Sequence, residues 1–145
     1  EQEKQRALND FRRSGQEAFS EARRLTSEPH LSQALVVCTA SALERHLRAQ
    51  KLALNTLQDI DKKLKRYHQD APGFEYVQCQ LHLNYYRQME RTLEPCIDVL
   101  FDGVCQDTQE NSALLDRYHG LNQLLQQLQH DILDIEVAMA INEAA

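Results

Sequence analysis

The sequence predicts an all-α protein, an antiparallel up-down-up-down four-helix bundle with long helices, and three observations predict it. Leu114, Tyr118, Leu121, Leu125, Leu128, Ile132, Ile135 and Met139 follow one another at alternating intervals of four and three. At 3.5 to 3.6 residues per turn this heptad pattern puts all eight side chains on one stripe of one helix. Glycine and proline are scarce, four and three in 145 residues, where an all-β fold needs many turns. The one β-flavoured run, Leu35-Val36-Val37-Cys38, sits inside a helical pattern. An apolar stripe as long as the last one cannot stay in water, so the other segments must cover it. With 42% hydrophobic and 26% charged residues, the chain is too apolar for disorder. It is long enough to bury a real core, and one domain over 1–145 is the simplest organisation.

The first helix is expected over about 2–26. Leu8, Phe11, Gly15, Ala18, Ala22 and Leu25 alternate in steps of three and four, and Phe19 widens the stripe. Glu, Arg, Lys and Gln fill the remaining faces, as an amphipathic helix requires. Gly15 costs about 1 kcal/mol relative to Ala in a helix interior, which argues for a packing reason at that position. Ser27, Glu28 and Pro29 then offer an N-cap, a first-turn acid and a first-turn proline. The second helix is therefore expected over about 28–67. Val36, Ala40, Leu43, Leu47, Leu54, Leu57 and Leu64 face inward, with Leu35, Cys38 and Ile60 at the edges. Gln50 and Asp61 fall on that same inward stripe, where a polar residue can set register and partner choice at a cost in stability. Lys62, Lys63, Lys65 and Arg66 complement the helix dipole at its end, or form a docking patch for an acidic partner.

Pro72-Gly73 is the clearest break in the chain. The third helix is expected over about 74–101, with Val77, Leu81, Tyr85, Met89 and Leu93 inward and Cys96, Val99 and Leu100 carrying the stripe onward. Pro95 lacks the N–H of an interior helical residue, so the helix is expected to be kinked near Arg91 or broken and restarted at Pro95. Gly103 reads as a C-terminal cap. Asp107, with Glu110 three residues later, reads as a capping box opening the fourth helix over about 107–143. Four rods of roughly 40–55 Å at 1.5 Å per residue, joined by short links, pack as antiparallel sequential neighbours. Both termini then leave from one end. Residue 1 is Glu rather than Met, and a processed chain or a segment of a longer one is expected.

Charge is unevenly distributed. From Glu94 onward ten acids face Arg117 alone, a net charge of −9 against +3 for the rest. Such a surface disfavours nucleic acid and anionic membrane, because phosphate contacts need clustered Lys and Arg. The plain reading is that the acidic half docks beside the more basic half. No apolar run approaches the ~20 residues of a membrane span, and no signal peptide is visible. Cys38, Cys79, Cys96 and Cys105 contain no CxxC pair, and a chain with this much core has no need of disulfides. Reduced thiols and a cytoplasmic setting are expected.

Chemistry-bearing motifs are weak. Carboxylate di-metal bundles use Glu-x-x-His pairs, and none of the six His residues follows a Glu by three. His130 with Asp134, and His82 with Tyr86, are four apart but lie beside the expected stripe. Cys79-x-x-His82 stands without the second pair a zinc finger needs. There is no Gly-x-Ser-x-Gly and no glycine-rich phosphate loop. His46, expected to be exposed, could serve a phosphorelay, although exposed histidines are common on helix surfaces. Phe74 and Tyr85 read as core, with Tyr76 and Tyr86 half-exposed. Gln123, Gln126, Gln127 and Gln129 make an uncharged polar face beside the seam. No catalytic, cofactor-binding or metal residue is assigned and no cofactor is implied. The expected function is a non-enzymatic protein–protein interaction module (adaptor, assembly or scaffold), with a protein partner or a homodimer. It is expected to involve neither nucleic acid nor direct membrane insertion. The alternative is a sensory or ligand-binding four-helix bundle of a larger receptor, and a bundle enzyme or metalloprotein is the third reading.

Overall fold

The computed structural model describes residues 2–28, 31–65, 74–106 and 112–144. Four helices make up the fold: α1 (Gln2–Ser27), α2 (Gln33–Lys65), α3 (Phe74–Gln106) and α4 (Ser112–Ala144). Each runs antiparallel to the one before it. Glu17 meets His46 and Lys4 meets Asp61 across α1 and α2. Tyr86 reaches back to Asn55 and Gln58 across α2 and α3, and Tyr76 meets Glu143 across α3 and α4. This is the up-down-up-down four-helix bundle that the heptad seam requires, and none of its described helices is long and apolar enough to cross a membrane.

The lateral order is less obvious. α1 pairs most extensively with α2, and α3 with α4. The two hairpins join through parallel neighbours: α1 lies beside α3, with the Phe11 and Tyr85 rings 4.6 Å apart, and α2 lies beside α4, where Lys51 pairs with Asp131 at 3.2 Å. Around the bundle the order is α1–α2–α4–α3. α2 and α3 touch across the short diagonal, whereas α1 and α4 do not meet among the described residues.

The seam of α4 packs as its spacing demands. Leu114, Leu121, Leu128, Ile132 and Ile135 are buried, Tyr118, Leu125 and Met139 pack against that core, and Leu124 broadens it. Leu43, Leu47 and Leu54 from α2 and Met89, Leu93 and Leu100 from α3 meet them with essentially no exposure. Each such side chain removed from water contributes about 1.5–3 kcal/mol.

Several expectations about the other helices are corrected. Phe19 is exposed, and Ala7 and Ser14 complete the buried face of α1. The α2 helix starts at Gln33 because Ser32, not Ser27, caps it. The Ser32 Oγ accepts from the Leu35 N–H at 3.3 Å and its carbonyl takes the first helical bond from Val36. Ser27 is instead the last residue of α1. Leu35 and Cys38 are exposed.

In α3 the first half of the stripe is rotated: Val77 and Leu81 are exposed and Tyr85 is half-buried, while His82, Leu83 and Tyr86 face the core. A run at intervals of four advances about 400° per step, so it drifts about 40° around the helix each time. Residues 77, 81, 85, 89 and 93 therefore cannot share one face. Pro95 does not break the helix, which continues to Gln106. Pro95 and Arg91 both lie on the exposed side, where water satisfies the carbonyl that proline leaves without a donor. Gly103 is helical rather than a cap. A Cβ there would stand 3.3 Å from Leu114 Cδ2, so its bareness lets α4 approach. The expected break at Pro72-Gly73, the capping box of Asp107 and Glu110, the Pro29 first turn and Arg66 lie outside the described residues.

Candidate functional site

Two buried polar residues on the inward stripe of α2 organise the polar interior, as their positions in the sequence suggest. Asp61, 6% exposed, is joined to one residue from each of two other helices. Its Oδ2 lies 2.8 Å from His82 Nε2 on α3, and its Oδ1 lies 3.2 Å from Lys4 Nζ on α1. Burial acts to raise the carboxyl pKa, but the hydrogen bonds and charges of His82 and Lys4 outweigh it and hold the group below its usual range. With the carboxylate ionised, the imidazole donates from Nε2. The arrangement fastens α1, α2 and α3 at one end of the bundle. It also forms one wall of a cleft of about 460 Å³, shared with Cys79, Gln78 and the apolar Ile135 and Ala138. A carboxylate-held imidazole is how a general base is oriented. Here the carboxylate's other oxygen pairs with Lys4, so the cluster also joins three helices.

Gln50, 8% exposed, is the second such residue. It lies three turns earlier on α2, against Gly15 of α1. A Cβ at Gly15 would stand 2.6 Å from the Gln50 Nε2, so the glycine makes room for the amide. Gln50 lines a groove of about 650 Å³ between α1 and α3, whose apolar surface comes from Phe11, Phe19 and Met89 and whose charge comes from Arg12 and Arg91. Gly120 plays a similar part on α4, where a Cβ would fall onto the carboxylate of Glu44. Glu44 pairs with Arg48 through Oε2 at 3.0 Å, and its buried Oε1 has no hydrogen-bond partner.

The other residues singled out by the sequence take quieter places. Tyr86, expected half-exposed, is 1% exposed, and its one hydroxyl proton is shared between Asn55 Oδ1 and Gln58 Oε1 at 3.2 and 3.1 Å. Burial, aided by the charge of Asp131, pushes its pKa up. His82 and Tyr86 thus lie in the interior rather than beside the stripe. Tyr76 is half-buried and bonds to Glu143. His46 is half-buried rather than exposed, with Nδ1 2.9 Å from Glu17. His130 and Asp134 do share an exposed face, 3.3 Å apart. With Asp131 they bring three potential ligand atoms within 4.8 Å of one another, but a cation there would compete with the Lys51 ammonium for Asp131. All four cysteines are unbridged. Cys38 and Cys105 are exposed and Cys96 is buried, its thiol pushed up to about 12 by desolvation. Lys62 and Lys63 are exposed at the end of α2.

Sequence reasoning placed Gln50 and Asp61 correctly but missed their companions. Lys4 and His82 lie 57 and 21 residues away from Asp61 in the chain, and no local spacing announces such pairings. No family model, no curated protein and no solved structure matches the chain.

Proposed function

We propose that this bundle is a non-enzymatic protein–protein interaction module, with an adaptor, assembly or scaffold role, that engages its partner through the outer face of α4. One observation carries the reading. Leu133, Val137 and Ile141 stand on successive turns of α4 and are 59%, 51% and 64% exposed, while the opposite face of the same helix is core. Isolated exposed leucines are ordinary on protein surfaces, but a run along one helix face marks a contact surface. Asp134 and Glu136 border the run, so it suits a protein partner that presents apolar side chains beside Lys or Arg. A second copy of the chain is the first candidate to test. The exposed thiols of Cys38 and Cys105 fit a reducing, cytoplasmic setting, which belongs to the same proposal.

Light scattering across a concentration series, with affinity capture using the chain as bait, tests this. A Leu133→Ser/Val137→Ser/Ile141→Ser variant should keep its helicity and lose the association. If the wild type stays monomeric and every captured protein binds the variant equally well, the proposal fails. A ligand-binding bundle is the second reading, and the specific observation in its favour is the α1–α3 groove with Gln50 at its base.

A further inference from the structure

We propose that the groove between α1 and α3 is a binding site for a small organic anion with an apolar body, such as an aromatic carboxylate. The inference deepens the ligand-binding reading and is independent of the α4 stripe.

Gln50 points to a ligand. Its side chain is more than nine-tenths buried and lines the groove, yet its amide makes no hydrogen bond to any described residue. The amide atoms keep some contact with solvent, so a ligand in the groove can take the place of water as their partner. The neighbouring positions shape that opening. Gly15 leaves open the space into which the amide projects, and an Ala at that position would crowd it. A primary amide facing a half-enclosed groove can donate to a carboxylate or other oxyanion.

Charge specifies the sign of the ligand. The chain carries a net charge of −6, yet both charged residues among the described lining of this groove are arginines, Arg12 and Arg91, and no acid lines it. Neither arginine forms an ion pair or a side-chain hydrogen bond among the described residues. Four of the eight other described arginines are paired: Arg13 with Asp10, Arg24 with Glu21, Arg48 with Glu44 and Arg87 with Glu136. Two uncommitted guanidinium groups, each with a planar fork of donors, are suited to a carboxylate, phosphate or sulfate. The cleft at the C-terminal end of α2 contrasts in sign, since Asp61, Glu75 and Asp134 outnumber Lys62 in its lining.

The remaining lining specifies the body. Phe11 and Met89 are buried at the groove wall, and Phe19 stands 59% exposed at its edge. Burying an aromatic ring against these three surfaces would cover the largest exposed apolar side chain of α1. About 650 Å³ is within the range of small-molecule sites, roughly 300–1,000 Å³. Amide and arginines at the rim and base, with apolar walls between them, fit one molecule bearing both an anionic head and a ring.

The test uses naphthalene-2-carboxylate as the probe, with the neutral alcohol 2-naphthalenemethanol and the cation 2-naphthylmethylammonium as controls. Binding is followed by amide chemical shifts of the whole chain, including the Gln50 side-chain NH₂. The carboxylate should bind with a dissociation constant of roughly millimolar or tighter, shifting Gly15, Gln50 and Met89. It should bind at least about tenfold more tightly than the alcohol, with the cation weakest. Arg12→Gln and Arg91→Gln should each weaken the carboxylate about tenfold and leave the alcohol unchanged, while Arg13→Gln should change neither. Gln50→Leu should weaken it several-fold. Equal binding of the three probes, shifts that map elsewhere, indifference to the arginine substitutions, or no binding at all would overturn the proposal. Should an arginine variant unfold, the carboxylate-against-alcohol comparison on the wild type decides alone. The Leu133→Ser/Val137→Ser/Ile141→Ser variant should bind the carboxylate normally, so failure of the α4 reading and failure of this one are distinguishable.

Discussion

Gln50 and Asp61 occupy equivalent places on α2, three turns apart on the same inward stripe and equally withdrawn from water, yet the bundle treats them differently. Asp61 is tied to His82 and Lys4 from two neighbouring helices. Gln50 is given space by a glycine and makes no side-chain hydrogen bond among the described residues. The difference follows from what each group costs when bare. An unpaired buried carboxylate costs several kcal/mol, so the fold must bring it counter-charges. A neutral amide at the edge of a groove keeps access to water or a ligand and can be tolerated without a protein partner. One end of α2 is therefore held by charge pairing, while the amide at its middle keeps access to the groove.

Removing Asp61 should produce the largest effect on this contrast. Breaking a buried ion pair costs about 3–5 kcal/mol when the remaining charge is trapped. Here the Lys4 side chain, 40% exposed, can reach water once its partner is gone, so Asp61→Ala should lose about 2–3 kcal/mol in urea denaturation. Gln50→Leu should lose nothing and can gain stability, because it removes a polar group without stranding a partner. Equal losses from the two substitutions would erase the distinction.

Acid should expose the same asymmetry next. The pKa of Asp61 is depressed in the folded chain, so its contribution is present in full above the unfolded pKa of about 3.9 and is lost as pH falls from there through the lower folded value. Melting temperatures from pH 5 down to pH 2 should fall more steeply for the wild type than for Asp61→Asn, and Gln50→Leu should follow the wild type. A parallel fall in Asp61→Asn would mean the pair contributes little.

A smaller loss, about 1 kcal/mol, is expected for Tyr86→Phe, since Asn55 and Gln58 are only half-buried and can turn to water when the hydroxyl is gone. Smallest of all is Gly15→Ala. The gain in helix propensity, up to about 1 kcal/mol, is set against displacement of the flexible end of Gln50. Stability should stay within about 1 kcal/mol of wild type while the Gln50 NH₂ resonances shift.

How much of this was legible depended on the kind of pattern. The α4 stripe alternates steps of three and four, tracks the helix repeat closely, and is buried or packed against the core along its length. Gln50 and Asp61 could be placed because they fall on a stripe whose other members are apolar, most of them leucines. In α3 the apolar residues recur at fours, and that drift hid His82 and Tyr86 in the core while bringing Val77 and Leu81 to the surface. Ser27 and Ser32 are both competent caps, and only the continuation of α1 through Ser27 chose between them. Gly103 and Pro95 both look like helix ends, yet burial of Cys96, Ile97 and Leu100, with Val104 packed against the core, carries the helix through them, because tertiary packing outweighs local propensity. The groove left no signal in the sequence, since Arg12, Gln50 and Arg91 are far apart in the chain and unremarkable one by one.

By itself the sequence determined that the chain is helical, how many helices it makes and which face most of them bury, because hydrophobic periodicity is a local property read against a constant helical repeat. Only the tertiary structure decided that the order around the bundle is α1–α2–α4–α3. Only it decided, too, that Lys4 and His82 meet Asp61 while Gln50 meets a glycine. Apolar stripes attract one another without regard to identity, and the choice among neighbours rests on shape and charge that come together only when the helices pack.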